Sequence, residues 1–296
     1  MLSEKQINAY KKNGYLVVED VIPPETLKIL QDVTDAFVEG AKNVTEHNET
    51  YDLADDHSKE NPKLRRLKNP HLIHKEYEAL TRDPCILDLV SQLLGNNLRR
   101  DHTKLNFKAA NGGEAIEWHQ DWAFYPHSND DMLAFGVFLE DVTEENGPLM
   151  VIPKSHQGPI LNHFVNGVFC GAVDPDDPEF KIEEAVTLTG KAGDMTVHHA
   201  RTLHGSAPNI SSKSRLMLFY ECNAVDAWPL LGAASYIHSL GQKKFWKDLE
   251  ERLITGKLST TPRLTKVPVS IPLPTPEKAG SIFELQKAGG AKSAFK

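Results

Sequence analysis

The sequence predicts a mainly β fold with flanking helices: a β sandwich or barrel set between a helical beginning and a mixed end. Three observations predict it. From about Leu98 the apolar residues come in short runs, "KLNFKAANGGE", "MLAFGVFLEDV", "GPLMVIP", "EAVTLTGKAGDMTVHH" and "SRLMLFYECNAV", split by Gly, Pro and Asn. Runs of that length between turn residues suit packed antiparallel strands and not alternating βαβ units. Before them the apolar spacing is helical, and after Trp228 it is helical again. With 296 residues, 40% hydrophobic and 25% charged, the chain is long enough for one large core. We therefore expect one domain over residues 1–296: a helical region over residues 1–97, a β core of about 98–226, and a helical and extended region over residues 227–296.

The elements follow in order. In "SEKQINAYKKNG", Ser3 and Gln6 have capping-box spacing, Ile7 and Tyr10 share a face, and Gly14 can close a helix. "YLVVEDV" reads as a strand. "PPETLKILQDVTDAFVEGAK" reads as a helix, with Leu27, Leu30, Val33, Thr34 and Phe37 on one face behind two prolines. The polar stretch Lys42 to Arg66 reads as a surface excursion or lid, and "CILDLVSQLLG" as a third helix. "LLGAASYIHSLGQKKFWKDLEERLITG" is mostly helical in pattern. The proline-rich end from "TTPRLTKVPVS" is expected to wrap the surface in extended form and then fray.

Charge and cysteine content exclude several classes. A net charge of -8 gives no electrostatic reason for a nucleic-acid or membrane partner, and no apolar run approaches a bilayer span. Three widely spaced cysteines, Cys85, Cys170 and Cys222, do not form a disulfide framework and fit a reducing compartment, so a cytoplasmic protein acting on a small molecule is expected. Nothing in the sequence speaks to oligomeric state.

Chemistry concentrates in "IEWHQDWAFYPH". On extended backbone, residues two apart face the same side, so His119 and Asp121 present an imidazole and a carboxylate to one point. A 2-His-1-carboxylate site for non-heme Fe(II) needs one more His, with other positions open for cosubstrate and O2. "GDMTVHHARTLHGSAPN" offers three. His198 and His199 are adjacent, so on a strand at most one points into a barrel; His204 opens a turn, with Ser206 two residues on and Arg215 eleven residues on, at the start of the next apolar strand. A guanidinium there suits bidentate capture of a small carboxylate.

Together "WHQD", "VTEENGPLMVIPKSHQG" and "LHGSAPN" followed by Arg215 resemble the phytanoyl-CoA dioxygenase family of Fe(II)- and 2-oxoglutarate-dependent oxygenases, which also includes ectoine hydroxylase. The likeness runs from "NAYKKNGYLVV" to about Val225. It implies a double-stranded β-helix, a cupin-like jelly-roll of two packed sheets with the metal in its open mouth. It implies Fe(II), 2-oxoglutarate and O2 as metal and cosubstrates, with His119, Asp121 and His204 as iron ligands. Arg215, assisted by Ser206, matches the residue that takes the far carboxylate of 2-oxoglutarate; Asn106 and Tyr125 match positions near the cosubstrate. Trp122 and Phe124 are candidates for the substrate wall. One departure is Gly136, which stands where many relatives carry a Trp and so alters the expected cosubstrate pocket. Because Asp121 is present, the halide-accommodating variation of the family is disfavoured.

The reaction implied is hydroxylation of an unactivated C–H bond in a small or medium metabolite, with release of succinate and CO2. Desaturation or demethylation are other outcomes of the same chemistry. A jelly-roll that holds a metal without turnover, or holds Zn2+, is the alternative class, and it has no need of Arg215 paired with Ser206.

Overall fold

The computed structural model describes residues 1–231, 241–277 and 280–295. Helix α1 (Glu4–Asn13) starts at the Ser3/Gln6 capping box and ends at Gly14, whose φ of 81° is the left-handed value glycine tolerates. Strand β1 (Tyr15–Val18) and helix α2 (Pro24–Gly40) follow as expected, with Leu30 and Thr34 of α2 buried. Helices α3 (Pro70–Ile73), α4 (Lys75–Leu80) and α5 (Pro84–Leu94) complete the N-terminal region.

The excursion expected from Lys42 to Arg66 is partly sheet. Strands β2 (Tyr51–Leu53) and β3 (Leu64–Lys68) pair with each other, and β3 extends the large sheet through β4 (Leu98–Lys108). Asp52, Leu53, Leu64 and Arg65 are buried. The reason the pattern hid this is that β3 buries an arginine, so polar residues did not mark solvent there.

The core strands are β5 (Ile116–His119), β6 (Met132–Phe138), β7 (Leu149–Val151), β8 (Phe164–Val165), β9 (Val168–Phe169), β10 (Val186–Leu188), β11 (Met195–His199), β12 (His204–Ser206) and β13 (Arg215–Ala224). The large sheet runs β1-β11-β6-β13-β4-β3-β2, with β14 (Leu253–Thr255) on the far end of β4; the small sheet runs β10-β7-β12-β5. All pairings are antiparallel. This is the jelly-roll.

Strands β6 and β13 are buried along their whole length because the large sheet is covered on both faces. Leu133, Phe135, Val137, Leu218 and Tyr220 pack on one face against Leu30, Tyr77, Leu80, Ile86 and Val90 of the helices. From the opposite face Phe138, Met217 and Phe219 meet Leu149, Val151 and Leu188 on the small-sheet side. A sheet buried on both faces loses its alternation and reads as a continuous apolar run.

At the C-terminal end, helix α6 (Gln242–Arg252) lies where a helical pattern is expected; the first stretch of that pattern, residues 232–240, lies outside the described residues. The last segment does not fray. Its extended stretch is tied down by the Trp122 indole donating to the Pro268 carbonyl (2.7 Å) and the Phe169 amide donating to that of Pro274 (2.8 Å). It then forms helix α7 (Ile282–Ala288), which opens on a second capping box, Ser281 with Glu284, and buries Phe283, Leu285 and Gln286. Beyond it, the Phe295 ring stacks 6.1 Å from Trp118.

Candidate metal and cosubstrate site

Register sets the site. Strands β5 and β12 pair antiparallel with His119 opposite His204, and the one-turn 3-10 helix Asp121–Ala123 brings Asp121 to the same side. Ligand atoms of His119, Asp121 and His204 all lie within 4.8 Å of one another, and all three residues are buried. Gln120, between His119 and Asp121, faces the other way. Its amide donates to the Pro159 and Arg201 carbonyls and its oxygen accepts from Leu161, so the interior side of that alternation is fully satisfied.

Both histidines offer a free ring nitrogen to the cluster. His119 Nδ1 donates to the Glu117 carbonyl (2.7 Å) and His204 Nδ1 to the Thr202 carbonyl (2.9 Å), which leaves each Nε2 as the free lone pair. Burial pushes His119 down to about 4, and burial together with the neighbouring His119 and His198 pushes His204 well below its usual range. Burial alone raises Asp121, but Lys104, His204 and the His198 hydrogen bond hold its carboxyl well below the usual carboxylate range. Neutral imidazoles beside an ionised carboxylate form a donor set that fits a divalent transition metal.

A third imidazole stands beside them. His198 on β11 faces inward, its Nε2 3.4 Å from Asp121 Oδ2 and its ring 4.4 Å from that of His204. His199 turns to the opposite face, where its Nδ1 accepts from the Arg201 amide (3.1 Å). Strand alternation therefore sends one of the adjacent pair into the barrel.

Two chambers meet at this cluster. The inner one is bordered by Asn106, Ser206 and Arg215, together with His119, His198 and His204. Arg215 is fully buried and donates from Nε and Nη2 to the Gly147 carbonyl (3.1 and 2.6 Å); burial pushes its guanidinium down to about 9. The Ser206 hydroxyl is buried with no hydrogen-bond partner. An orphaned hydroxyl beside a buried guanidinium is the feature a bound carboxylate would satisfy, so these residues fit 2-oxoglutarate. Lys108, which the sequence reading did not single out, donates from Nζ to the Ser206 carbonyl (3.0 Å) and so braces the end of β12. Gly136 leaves room for Phe219: a Cβ there would lie 2.5 Å from that ring, and Phe219 borders the inner chamber in its place.

Phe124, Tyr125 and Phe169 border the outer chamber along with Arg66, His102 and Lys104. Tyr125 thus lies on the outer side and not with Asn106, packed edge-on against His102 at 5.4 Å. Trp122 borders neither chamber: it is a core residue beside Met132, Ala200 and Ala227, turned away by its own hydrogen bond to Pro268. Asp226, in the loop after the last core strand, is paired with Arg263 (3.0 Å). Glu221 is the buried counter-charge of the outer wall, 2.8 Å from His102 Nε2 and 3.3 Å from Lys104 Nζ. None of these basic residues was singled out from the sequence. Their signal was the alternation His102, Lys104, Asn106 on β4, which puts all three on one face.

Comparison with known proteins agrees with this geometry. A model of the family described as phytanoyl-CoA dioxygenase matches residues 10–217. A "probable alpha-ketoglutarate-dependent hypophosphite dioxygenase" of Stutzerimonas stutzeri is 38% identical, covering 97% of this chain and 98% of that protein. The crystal structure of EctD from S. alaskensis with bound Fe superposes with a TM-score of 0.63 at 26% identity, covering 76% of this chain and 77% of that one. The same protein with 2-oxoglutarate and 5-hydroxyectoine gives a TM-score of 0.62 at 25% identity over 76% of this chain and 77% of that one. By its matched sequence, its jelly-roll and its clustered His, Asp and His, the chain belongs to the phytanoyl-CoA dioxygenase family.

Proposed function

We propose that the chain is an Fe(II)- and 2-oxoglutarate-dependent dioxygenase whose substrate is a small phosphorus oxyanion. The reaction class is that of its relatives. The observation that carries the substrate class is the basic wall of the outer chamber, Arg66, His102 and Lys104, of which His102 and Lys104 pair with the buried Glu221, while Asp121 is the carboxylate that borders the chamber itself. Full-length likeness to a probable hypophosphite dioxygenase supports the same choice. The outer chamber, with a volume of about 300 Å³, is roomier than hypophosphite requires, and its aromatic side would suit an organic substituent on phosphorus.

In this reading His119 and His204 offer Nε2, and Asp121 a carboxylate oxygen, to Fe(II). Arg215 and the Ser206 hydroxyl take the far carboxylate of 2-oxoglutarate, with Asn106 on the same wall. Fe(II) bound there, with 2-oxoglutarate and O2, supplies the oxidation that releases succinate and CO2 and leaves one oxygen atom on the substrate. His198 donates to Asp121 Oδ2 and thereby orients the carboxylate. Arg66, His102 and Lys104 bind the anionic end of the substrate, while Phe124 and Phe169 exclude water. The acceptor is a P–H bond in hypophosphite and a C–H bond in a substrate with an organic portion. A metal-holding module without turnover would have no use for Arg215 and Ser206 on one wall.

The test is succinate release dependent on Fe(II) and 2-oxoglutarate, with hypophosphite, larger phosphinates and phosphonates, proline and ectoine as substrates. Stimulation by one of the phosphorus compounds is expected. Stimulation by proline or ectoine alone would overturn the substrate class, and failure of the iron-loaded protein to bind 2-oxoglutarate by calorimetry would overturn the reaction class.

A further inference from the structure

The outer chamber is roofed by a segment of the chain beyond residue 217, where the family match ends. Helix α7 supplies that roof: Ile282 borders both chambers and Leu285 the outer one. Between them Phe283 turns toward β3, and its ring centre lies 5.6 Å from the guanidinium carbon of Arg65 and 5.8 Å from that of Arg66. The two arginines are held differently. Arg65 is tied by ion pairs to Asp55 (2.8 Å) and Glu114 (2.6 Å). Arg66 donates from Nε to Asn106 Oδ1 (3.1 Å) and borders both chambers.

An arginine side chain loses much rotamer freedom when ordered, so two fixed contacts on Arg66 have a purpose to serve. Asn106 fixes one edge of the guanidinium, and the Phe283 ring packs against it. The helix that carries the ring is itself anchored: the Gln286 amide donates to the Gly171 carbonyl (3.0 Å) and its oxygen accepts from the Glu117 amide (3.0 Å) on β5, the strand of His119.

We propose that Phe283 is a positioning residue for substrate: its ring sets the Arg66 guanidinium toward the outer chamber, where Arg66 meets the anionic end of the substrate. The C-terminal helix, beyond the family match, then sets an arginine that lies within it. The proposal rests on the anionic-substrate reading above.

Phe283→Leu removes the ring and keeps an apolar side chain; Phe283→Tyr keeps the ring. Hypophosphite binding is measured by anaerobic calorimetry on protein loaded with Fe(II) and 2-oxoglutarate, beside succinate formation without substrate and the KM for 2-oxoglutarate. Loss of the ring is expected to weaken hypophosphite binding roughly three- to ten-fold, with the tyrosine variant within about two-fold of wild type, and with KM for 2-oxoglutarate and substrate-free succinate formation unchanged in both. Arg66→Lys is expected to weaken binding at least as much as Phe283→Leu. Should the leucine variant not fold, Phe283→Met takes its place. Wild-type affinity in Phe283→Leu overturns the proposal and leaves the anion reading standing. A parallel loss of 2-oxoglutarate and hypophosphite affinity in that variant also overturns it, because the helix would then only brace the fold. A wild-type protein that binds neither hypophosphite nor any larger phosphorus oxyanion overturns the anion reading, and the proposal with it.

Discussion

The inner and outer chambers share a metal cluster but are built in different ways. The inner chamber is walled by β3, β4, β5, β7, β11, β12 and β13, with Ile282 of α7 at its edge, so strand register places its polar side chains. The outer chamber borrows from β3, β4, the 3-10 turn after His119 and the C-terminal segment with α7. A wall made by sheet register leaves little freedom, because a slip of one residue sends every side chain to the other face. A wall made by a turn and a docked tail can be rebuilt without disturbing the sheets.

Five substitutions break or sharpen that contrast. The largest effect is expected for His204→Ala, which abolishes turnover and iron retention while circular dichroism stays that of the wild type; His198→Ala keeps iron bound. Iron stoichiometry of the two purified variants checks this, and a His204→Ala protein with full iron would place the metal elsewhere. Next comes Arg215→Ala, which should weaken 2-oxoglutarate binding by about 2–5 kcal/mol through loss of a buried charged contact. Calorimetry that found the cosubstrate affinity unchanged would remove the inner chamber from its proposed role.

Gly136→Ala is expected to cost about 1–3 kcal/mol of stability, since its Cβ would lie 2.5 Å from Phe219 and 2.9 Å from Thr196 Oγ1. Denaturant unfolding reads this directly, and a neutral result would show that the inner wall yields more easily than strand packing allows. The smallest effect is expected for Ser206→Ala, a rise in KM for 2-oxoglutarate corresponding to about 1 kcal/mol, with substrate KM unmoved. Equal shifts in both constants would mean that the two chambers are not separate.

The same contrast governs what could be read from the sequence. Spacing put His119 and Asp121 together and offered three histidines as partners, and the family resemblance of the motifs singled out His204, Ser206 and Arg215; the structure brings all five to one cluster or its inner wall. Trp122 and Tyr125 were harder: Trp122 lies on the 3-10 turn Asp121–Ala123 and Tyr125 just beyond it, where alternation no longer tells inside from outside. The basic wall was missed because the strand run "KLNFKAANGGE" was noted for its apolar residues alone, and Arg66 closes a stretch read as a surface excursion or lid. Helix α7 was hidden behind prolines, although "SIFE" carries the Ser281 to Glu284 capping-box spacing just as "SEKQ" does at the start of the chain.

The pairing of His119 with His204 also bears on how the molecule holds together. Strands β5 and β12 are short, and they come from distant stretches of the chain. An ion held by one side chain from each strand, with Asp121 as the third ligand, is a cross-strand fastening, and its binding free energy adds to that of folding because the unfolded chain offers no such cluster. Metal supply would then set the lifetime of the protein as well as its activity. Iron-starved molecules should open first at the small sheet, where amide hydrogens of β5 and β12 would exchange with solvent ahead of those of β6 and β13.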